Sequence, residues 1–362
     1  MTVAVHISVD KHQNLSDNFN FVCFSALALS QPDSHFIFIF DRAPHPEIYL
    51  EPNCTPVILP PTLKNTLLRH YWYNYKLPAV IQRYNADVCI ADRLTCSFRV
   101  SIPQCMVADE KNAGIAEKSL YLNKFLPAFV KKAAQIFCLD DRTAKTLESN
   151  GKVSQKITLL YPGLKSEIRP LTYEVREATK EEFTSGHEYF LHLTTDGNLE
   201  KVKIVLRAFS IFKKWQKSAM RMVLIINPHS EKVLLKELAL YKYREDVLIL
   251  TINALTEKLT GGAYALLIEK DQFLKATIPA MKSGVPVILD SAQNPRSLLA
   301  AAVGTHWDEK NIAEKMMVLY KDESMRSHVI KLGLDNSAKY SWEMTSQTIW
   351  NVLTNLMHPQ TA

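Results

Sequence analysis

Ala280-Met281-Lys282-Ser283-Gly284-Val285-Pro286-Val287-Ile288-Leu289-Asp290 is the stretch on which the reading of this chain turns. It predicts the end of a helix, a turn and a buried strand. Ala280 and Met281 suit a last helical turn, and Gly284 can take the left-handed conformation that closes one. Residues 285–288 are apolar and too few for a helix, so they read as a strand. Pro286 must stand at the strand's start, where a missing N–H leaves the ladder intact.

Outward from this unit, the same alternation recurs in both directions. Strands are expected near residues 3–9, 36–40, 57–59, 86–90, 103–107 and 135–139, with helices near 19–30 and 71–81. A polar, charged connector over residues 165–188 follows. The pattern then starts again with strands near 189–193, 222–226, 247–250, 264–268 and 285–288, and a helix ending at 205–215. Short apolar strands separated by helices predict parallel sheets covered on both faces. Two such halves joined by a polar connector predict two domains, which a chain of 362 residues is long enough to build.

Composition narrows the function classes. The chain is 47% hydrophobic and 22% charged, as in a globular protein, and it has no apolar run long enough to span a membrane. Met1-Thr2-Val3-Ala4-Val5-His6 reads as a strand from the first residue, so no signal peptide is expected. Cys23, Cys54, Cys89, Cys96, Cys105 and Cys138 form no Cys-x-x-Cys pair and are expected as reduced core thiols of a cytoplasmic protein. The net charge of +6 is spread along the chain, which disfavours nucleic acid as a partner. Only 10 glycines occur, against about 25 for an average chain of this length. That scarcity is unexpected for a protein that cradles phosphates with bare backbone.

The stretch 280–288 resembles the Glu-Ala-Met-x-x-Gly-x-Pro-Val-Ile signature of the family 4 glycosyltransferases, retaining enzymes of the GT-B fold. His35-Phe36-Ile37-Phe38-Ile39-Phe40-Asp41-Arg42 is similar to an early strand of the bacterial members. Tyr71-Trp72-Tyr73 with Leu77-Pro78 resembles a Trp-bearing helix in them, and Lys339-Tyr340-Ser341-Trp342-Glu343 resembles the start of their last helix. The resemblance implies an α/β GT-B fold, with two Rossmann-like domains facing across a cleft. The acceptor-type domain would be residues 1–165, the donor-type domain 166–340, and a final helix over 341–357 would pack back on the first domain.

The family holds the donor diphosphate with a Gly-rich turn and an Arg-Lys pair before a helix. The matching segment here is Leu193-Thr194-Thr195-Asp196-Gly197-Asn198-Leu199-Glu200-Lys201-Val202-Lys203, which puts Leu199 and Glu200 at the two cationic positions. Lys201 and Lys203 could serve after a shift of register, or be solvated lysines on an outer helix face. Two family glutamates, one for the sugar and one for the ribose, correspond to Asp271 and Pro279. Gln272 and Leu274 replace the loop glycines, and Glu269 could compensate or be a surface acid. A further donor-contacting acid is missing from Gln293-Asn294-Pro295-Arg296-Ser297. On the acceptor side a His-Asp pair corresponds to Asp109 and Glu110, and a Ser-Glu pair to Asp140 and Asp141. Carboxylates there would repel a diphosphate, and they read either as a rebuilt site or as ordinary charged loops.

Candidate catalytic residues are therefore Asp109, Glu110 and Asp271, and candidate donor-nucleotide contacts are Lys201, Lys203, Glu269 and Asp271. No metal or cofactor is expected, and a nucleotide sugar would be the donor substrate. With four elements of the family site degraded together, the resemblance implies a pseudo-glycosyltransferase of surface polysaccharide or glycoconjugate synthesis. Its expected partner is an active glycosyltransferase or a glycan acceptor. The alternative is an active retaining glycosyltransferase with a rebuilt site. A sugar-nucleotide epimerase or phosphorylase on the same fold is a third class to which no residue points. The aromatic, basic segment 121–132 reads as a core helix or, as in relatives, as a peripheral membrane contact.

Overall fold

The computed structural model describes residues 1–9, 18–44, 49–60, 66–109, 120–149, 156–165, 167–194, 198–252, 256–270, 276–294 and 296–358. The chain divides into two compact units, Met1–Gly163 with Tyr340–Ala362, and Leu164–Lys339.

The first unit is built on β1 (Thr2–Ile7), β2 (His35–Phe40), β3 (Cys54–Ile58), β4 (Val88–Ala91), β5 (Gln104–Ala108), β6 (Gln135–Cys138) and β7 (Ile157–Leu159). These form one parallel sheet of order β3-β2-β1-β4-β5-β6-β7. Every residue of β4 and β5 is buried, as expected of strands covered on both faces. Pro56 lies inside β3, which its place at the sheet edge allows. Helix α1 (Phe19–Ser30) is capped by Asn18, whose side chain accepts from Phe21 N at 3.1 Å.

Between β3 and β4, α2 (Thr66–Tyr71) runs through a π-helical turn, Trp72–Lys76, into α3 (Leu77–Arg83). Pro78 has no N–H for the carbonyl four residues back, and the turn before it widens so that Leu77 N bonds Trp72 O. Helix α4 (Leu120–Lys132) continues through Pro127. Buried Phe129, stacked on Phe98 at 5.2 Å, holds that turn by packing. Helix α5 (Asp141–Ser149) lies between β6 and β7.

The second unit begins with α6 (Tyr173–Thr184), where the sequence suggested a polar connector. The helix escapes apolar periodicity because its buried face carries Thr179, Lys180 and Thr184. Lys180 is satisfied there by Glu177 and by Glu188 at 3.1 Å. The sheet comprises β8 (Tyr189–Leu193), β9 (Arg221–Ile226), β10 (Val247–Thr251), β11 (Ala265–Ile268), β12 (Val287–Asp290) and β13 (Val303–Thr305), in parallel order β10-β9-β8-β11-β12-β13. Around it lie α7 (Leu199–Gln216), α8 (Glu231–Leu238), α9 (Glu257–Gly262), α10 (Thr277–Lys282), α11 (Arg296–Leu299), α12 (Glu309–Lys321) and α13 (Glu323–Ser337).

The stretch that opened the sequence reading is a helix stop in this unit. Gly284 has φ +72°, Val285 N bonds Ala280 O at 2.9 Å, and Gly284 N bonds Met281 O at 3.0 Å. This double bond is a Schellman motif, and β12 starts at Val287, just past Pro286. The last helix, α14 (Trp342–Met357), returns to the first unit and packs on α1. Ser341 caps it by accepting from Met344 N, and the Phe19 and Trp342 rings lie 5.8 Å apart.

Candidate functional site

In an open parallel sheet the loops diverge where strand order reverses, and the crevice outside the carboxyl ends of those strands is the usual ligand site. In the second unit this point lies between β8 and β11, because the chain runs outward to β9 and β10 on one side and to β12 and β13 on the other.

His192, near the end of β8, is buried and ties the two central strands together. Its Nδ1 lies 2.9 Å from Leu267 O in β11, and its Nε2 lies 2.7 Å from Thr194 Oγ1. A carbonyl can only accept, so Nδ1 carries a proton and donates it to Leu267 O. Helix α7 then starts at the Asn198 cap, whose side chain accepts from Glu200 N at 3.0 Å. Its first turns carry the two lysines singled out in the sequence, and both are bonded to carboxylates. Lys201 Nζ lies 2.5 Å from Glu269 Oε2, just past β11. Lys203 Nζ lies 2.9 Å from Glu200 Oε1 and 2.9 Å from Glu237 Oε1. The hydrogen bond and charge of Lys203 lower the Glu200 carboxyl below its ordinary range, and bonds to Glu200 and Glu237 raise Lys203.

Asn294 is a contact that the sequence reading passed over. From the turn after β12, its amide donates to Glu269 O at 2.6 Å and to Asp290 O at 2.9 Å. The turn after β12 thus supplies an amide that fixes the backbone of Glu269. Among the described residues, the carboxylates of Glu200, Glu237 and Glu269 are bonded to the ammonium groups of Lys201 and Lys203. Asp271 lies outside the described residues, as does Glu110.

In the first unit the strand order reverses between β1 and β4. A buried polar cluster that the sequence reading did not single out occupies this point. Asp92, one residue past β4, accepts from Ser8 N at 2.5 Å and lies 3.1 Å from His6 Nδ1. The Tyr73 hydroxyl, from the π-helical turn, lies 3.0 Å from the same nitrogen, and the Trp72 ring is 4.5 Å from the imidazole. Asp41, past β2, accepts from Val9 N at 2.9 Å, and Arg93 Nε donates to Ser8 Oγ at 3.0 Å. The backbone after β1 is thus held by side chains from the ends of both neighbouring strands. The only sequence signal was an acid or a polar residue directly after each apolar run.

Asp109, half-buried, follows β5 by one residue. Asp140 caps α5 by accepting from Thr143 N at 2.6 Å, which gives that acid a local structural role. Among the described residues no group of three or more His, Cys, Asp or Glu side chains could hold a metal ion. No helix formed by them is long and apolar enough to cross a membrane.

No protein-family model matches the sequence, and no curated protein is significantly similar to it. Solved structures do match along nearly the whole chain. A glycosyltransferase from Rickettsia africae is 11% identical with a TM-score of 0.70, over 99% of this chain and 98% of its own. Anabaena Alr3699/HepE, solved in complex with UDP, is 11% identical with a TM-score of 0.69, over 98% of this chain and 100% of its own. WaaG, a glycosyltransferase involved in lipopolysaccharide biosynthesis, is 12% identical with a TM-score of 0.64, over 97% of this chain and 99% of its own. The fold is GT-B, with two parallel-sheet Rossmann-like domains.

Proposed function

We propose that this chain is a glycosyltransferase-like protein of surface polysaccharide or glycoconjugate synthesis in which nucleotide-sugar transfer is weak or lost. It would act as a pseudo-glycosyltransferase, supporting an active glycosyltransferase or holding a glycan acceptor. One observation carries this reading: the lysines at the head of α7 are bonded to Glu269, Glu200 and Glu237. A diphosphate entering there meets ammonium groups already bonded to carboxylates, and Coulomb repulsion from those carboxylates opposes its binding. Leu199, in place of a family cation, removes a further source of attraction.

The HepE structures hold UDP and UDP-glucose, so these are the ligands to test. Titration calorimetry of the full chain with UDP, GDP and UDP-glucose is expected to give no binding tighter than millimolar. Co-purification from the native cell, followed by transfer assays with and without this chain, tests the supporting role. Micromolar donor binding, with transfer abolished by Asp109→Ala or Asp271→Ala, would establish the alternative, an active retaining enzyme with a rebuilt site.

A peripheral contact with anionic membrane is a second part of this reading, favoured by one surface of the first unit. Neither Thr66–Lys76 nor Leu120–Lys132 contains an acidic residue. Tyr71 and Tyr75 stack at 5.5 Å and are about half exposed, the Arg99 guanidinium lies 3.9 Å from the Tyr75 ring, and Phe98 is 39% exposed. Exposed aromatics among cations suit the headgroup layer. Sedimentation with anionic vesicles, but not with zwitterionic ones, is the expected result. Equal recovery in the supernatant with both would remove this part.

A further inference from the structure

Glu269 and Lys201 are 68 positions apart in sequence, yet their charged atoms meet at 2.5 Å at the strand-order reversal of the second unit. Both side chains are about three-quarters buried, at 26% exposure for Lys201 and 21% for Glu269. Water therefore screens this pair less than an exposed one. The contact is also held from behind. The backbone of Glu269 is pinned by the Asn294 amide, which also donates to Asp290 O, so the carboxylate leaves a fixed point at the end of β11. Lys203 is engaged separately, by Glu200 and Glu237.

We propose that Glu269 is an internal anion seated on Lys201, and that it sets the affinity of this crevice for anionic ligands by competing with the phosphates of a nucleoside diphosphate. The proposal rests on assigning the crevice to the donor nucleotide. Binding of a diphosphate requires Lys201 to exchange the Glu269 carboxylate for a phosphate oxygen. The displaced carboxylate then stays nearby as an unpaired like charge. Both effects weaken binding, and both disappear when the side chain is made neutral without changing its shape.

The test is UDP binding by isothermal titration calorimetry on the full chain. It compares the wild type with Glu269→Gln, Glu269→Asp, and the double variant Lys201→Ala with Glu269→Gln. Circular dichroism melts establish that each variant is folded. Glu269→Gln is expected to bind UDP on the order of tenfold more tightly than the wild type, the factor that corresponds to about 1.4 kcal/mol. Glu269→Asp keeps the charge but draws it back from Lys201, and its affinity should lie between the two. Removing Lys201 as well should abolish the gain. Affinity unchanged or weakened in Glu269→Gln overturns the proposal. So does a gain that survives the loss of Lys201, or a Glu269→Asp variant that binds like the wild type. If no variant binds UDP even at millimolar concentration, the assignment of the crevice to a nucleotide fails, and the proposal fails with it.

Discussion

His6 Nδ1 lies 3.1 Å from Asp92 Oδ1, and both side chains are buried. Burial alone would raise the Asp92 carboxyl. The charge and hydrogen bond of His6, the charge of Arg93 and the Ser8 amide outweigh burial and hold the group at about 2. An unfolded aspartate titrates near ~3.9. Asp92 therefore adds stability that is fully present above roughly pH 4 and is lost as pH falls through the folded value. Denaturant melts should show wild type more stable than Asp92→Asn by about 2 kcal/mol near neutrality. That gap should close as pH falls through about 2. A gap of constant size down to pH 2 would contradict this account of the cluster.

The thiols should be protected in the native state. Cys23, Cys89, Cys96, Cys105 and Cys138 are buried, while Cys54 is half-buried at the start of edge strand β3. Burial raises all six: to about 12 for Cys89, Cys96 and Cys138, and to about 11 for Cys54. The thiolate is the reactive form, so at pH 8 even Cys54 presents only about one reactive molecule in a thousand. Ellman's reagent should label the native protein slowly, Cys54 first, and all six thiols at once in denaturant. Rapid native labelling of any of the other five would show that its site opens.

Gly163 should not tolerate a side chain. A Cβ there would collide with the Trp342 ring and come within 2.5 Å of the Trp342 backbone nitrogen. Gly163→Ala must push the start of α14 away from its seat beside Phe19. The expected loss is about 1–3 kcal/mol in denaturant melts. An unchanged midpoint would mean that α14 is not held against this segment.

Lys180→Met should be destabilising although the replacement is apolar and the position is buried. The Lys180 ammonium is held between Glu177 and Glu188, and without it two carboxylates face each other, with Arg176 left on Glu188. A loss of about 1–3 kcal/mol is expected in the same melts. Adding Glu177→Gln should recover part of it, because that substitution removes one of the two like charges.

Much of the fold could be read from residue order alone. The buried strands announce themselves as apolar runs, and Ser341 and Gly284 mark a helix start and a helix stop by local chemistry. Helix α6 could not be read in this way, because periodicity looks for an apolar face and the buried side chains of α6 are Thr179, Lys180 and Thr184. Its partners, Glu188 and the close-packed Gly262 of α9, only acquire meaning once the chain is folded.

The candidate site divides along the same physical line. The sequence by itself determined which residue types stand near the strand ends: Lys201 one residue past the positions expected to be cationic, Glu269 two residues before the expected acid, and Asp92 after an apolar run. Those are local facts, because propensity and capping depend on neighbours a few positions away. Tertiary structure alone decided that Lys201 is bonded to Glu269, that Asn294 fixes the backbone of Glu269, and that His6, Tyr73 and Asp92 share one buried nitrogen. Each of those contacts depends on the parallel pairing of β8 with β11, β11 with β12, or β1 with β4. Strand pairing brings distant loops together, and no stretch of sequence contains both partners of an ion pair that the sheet creates.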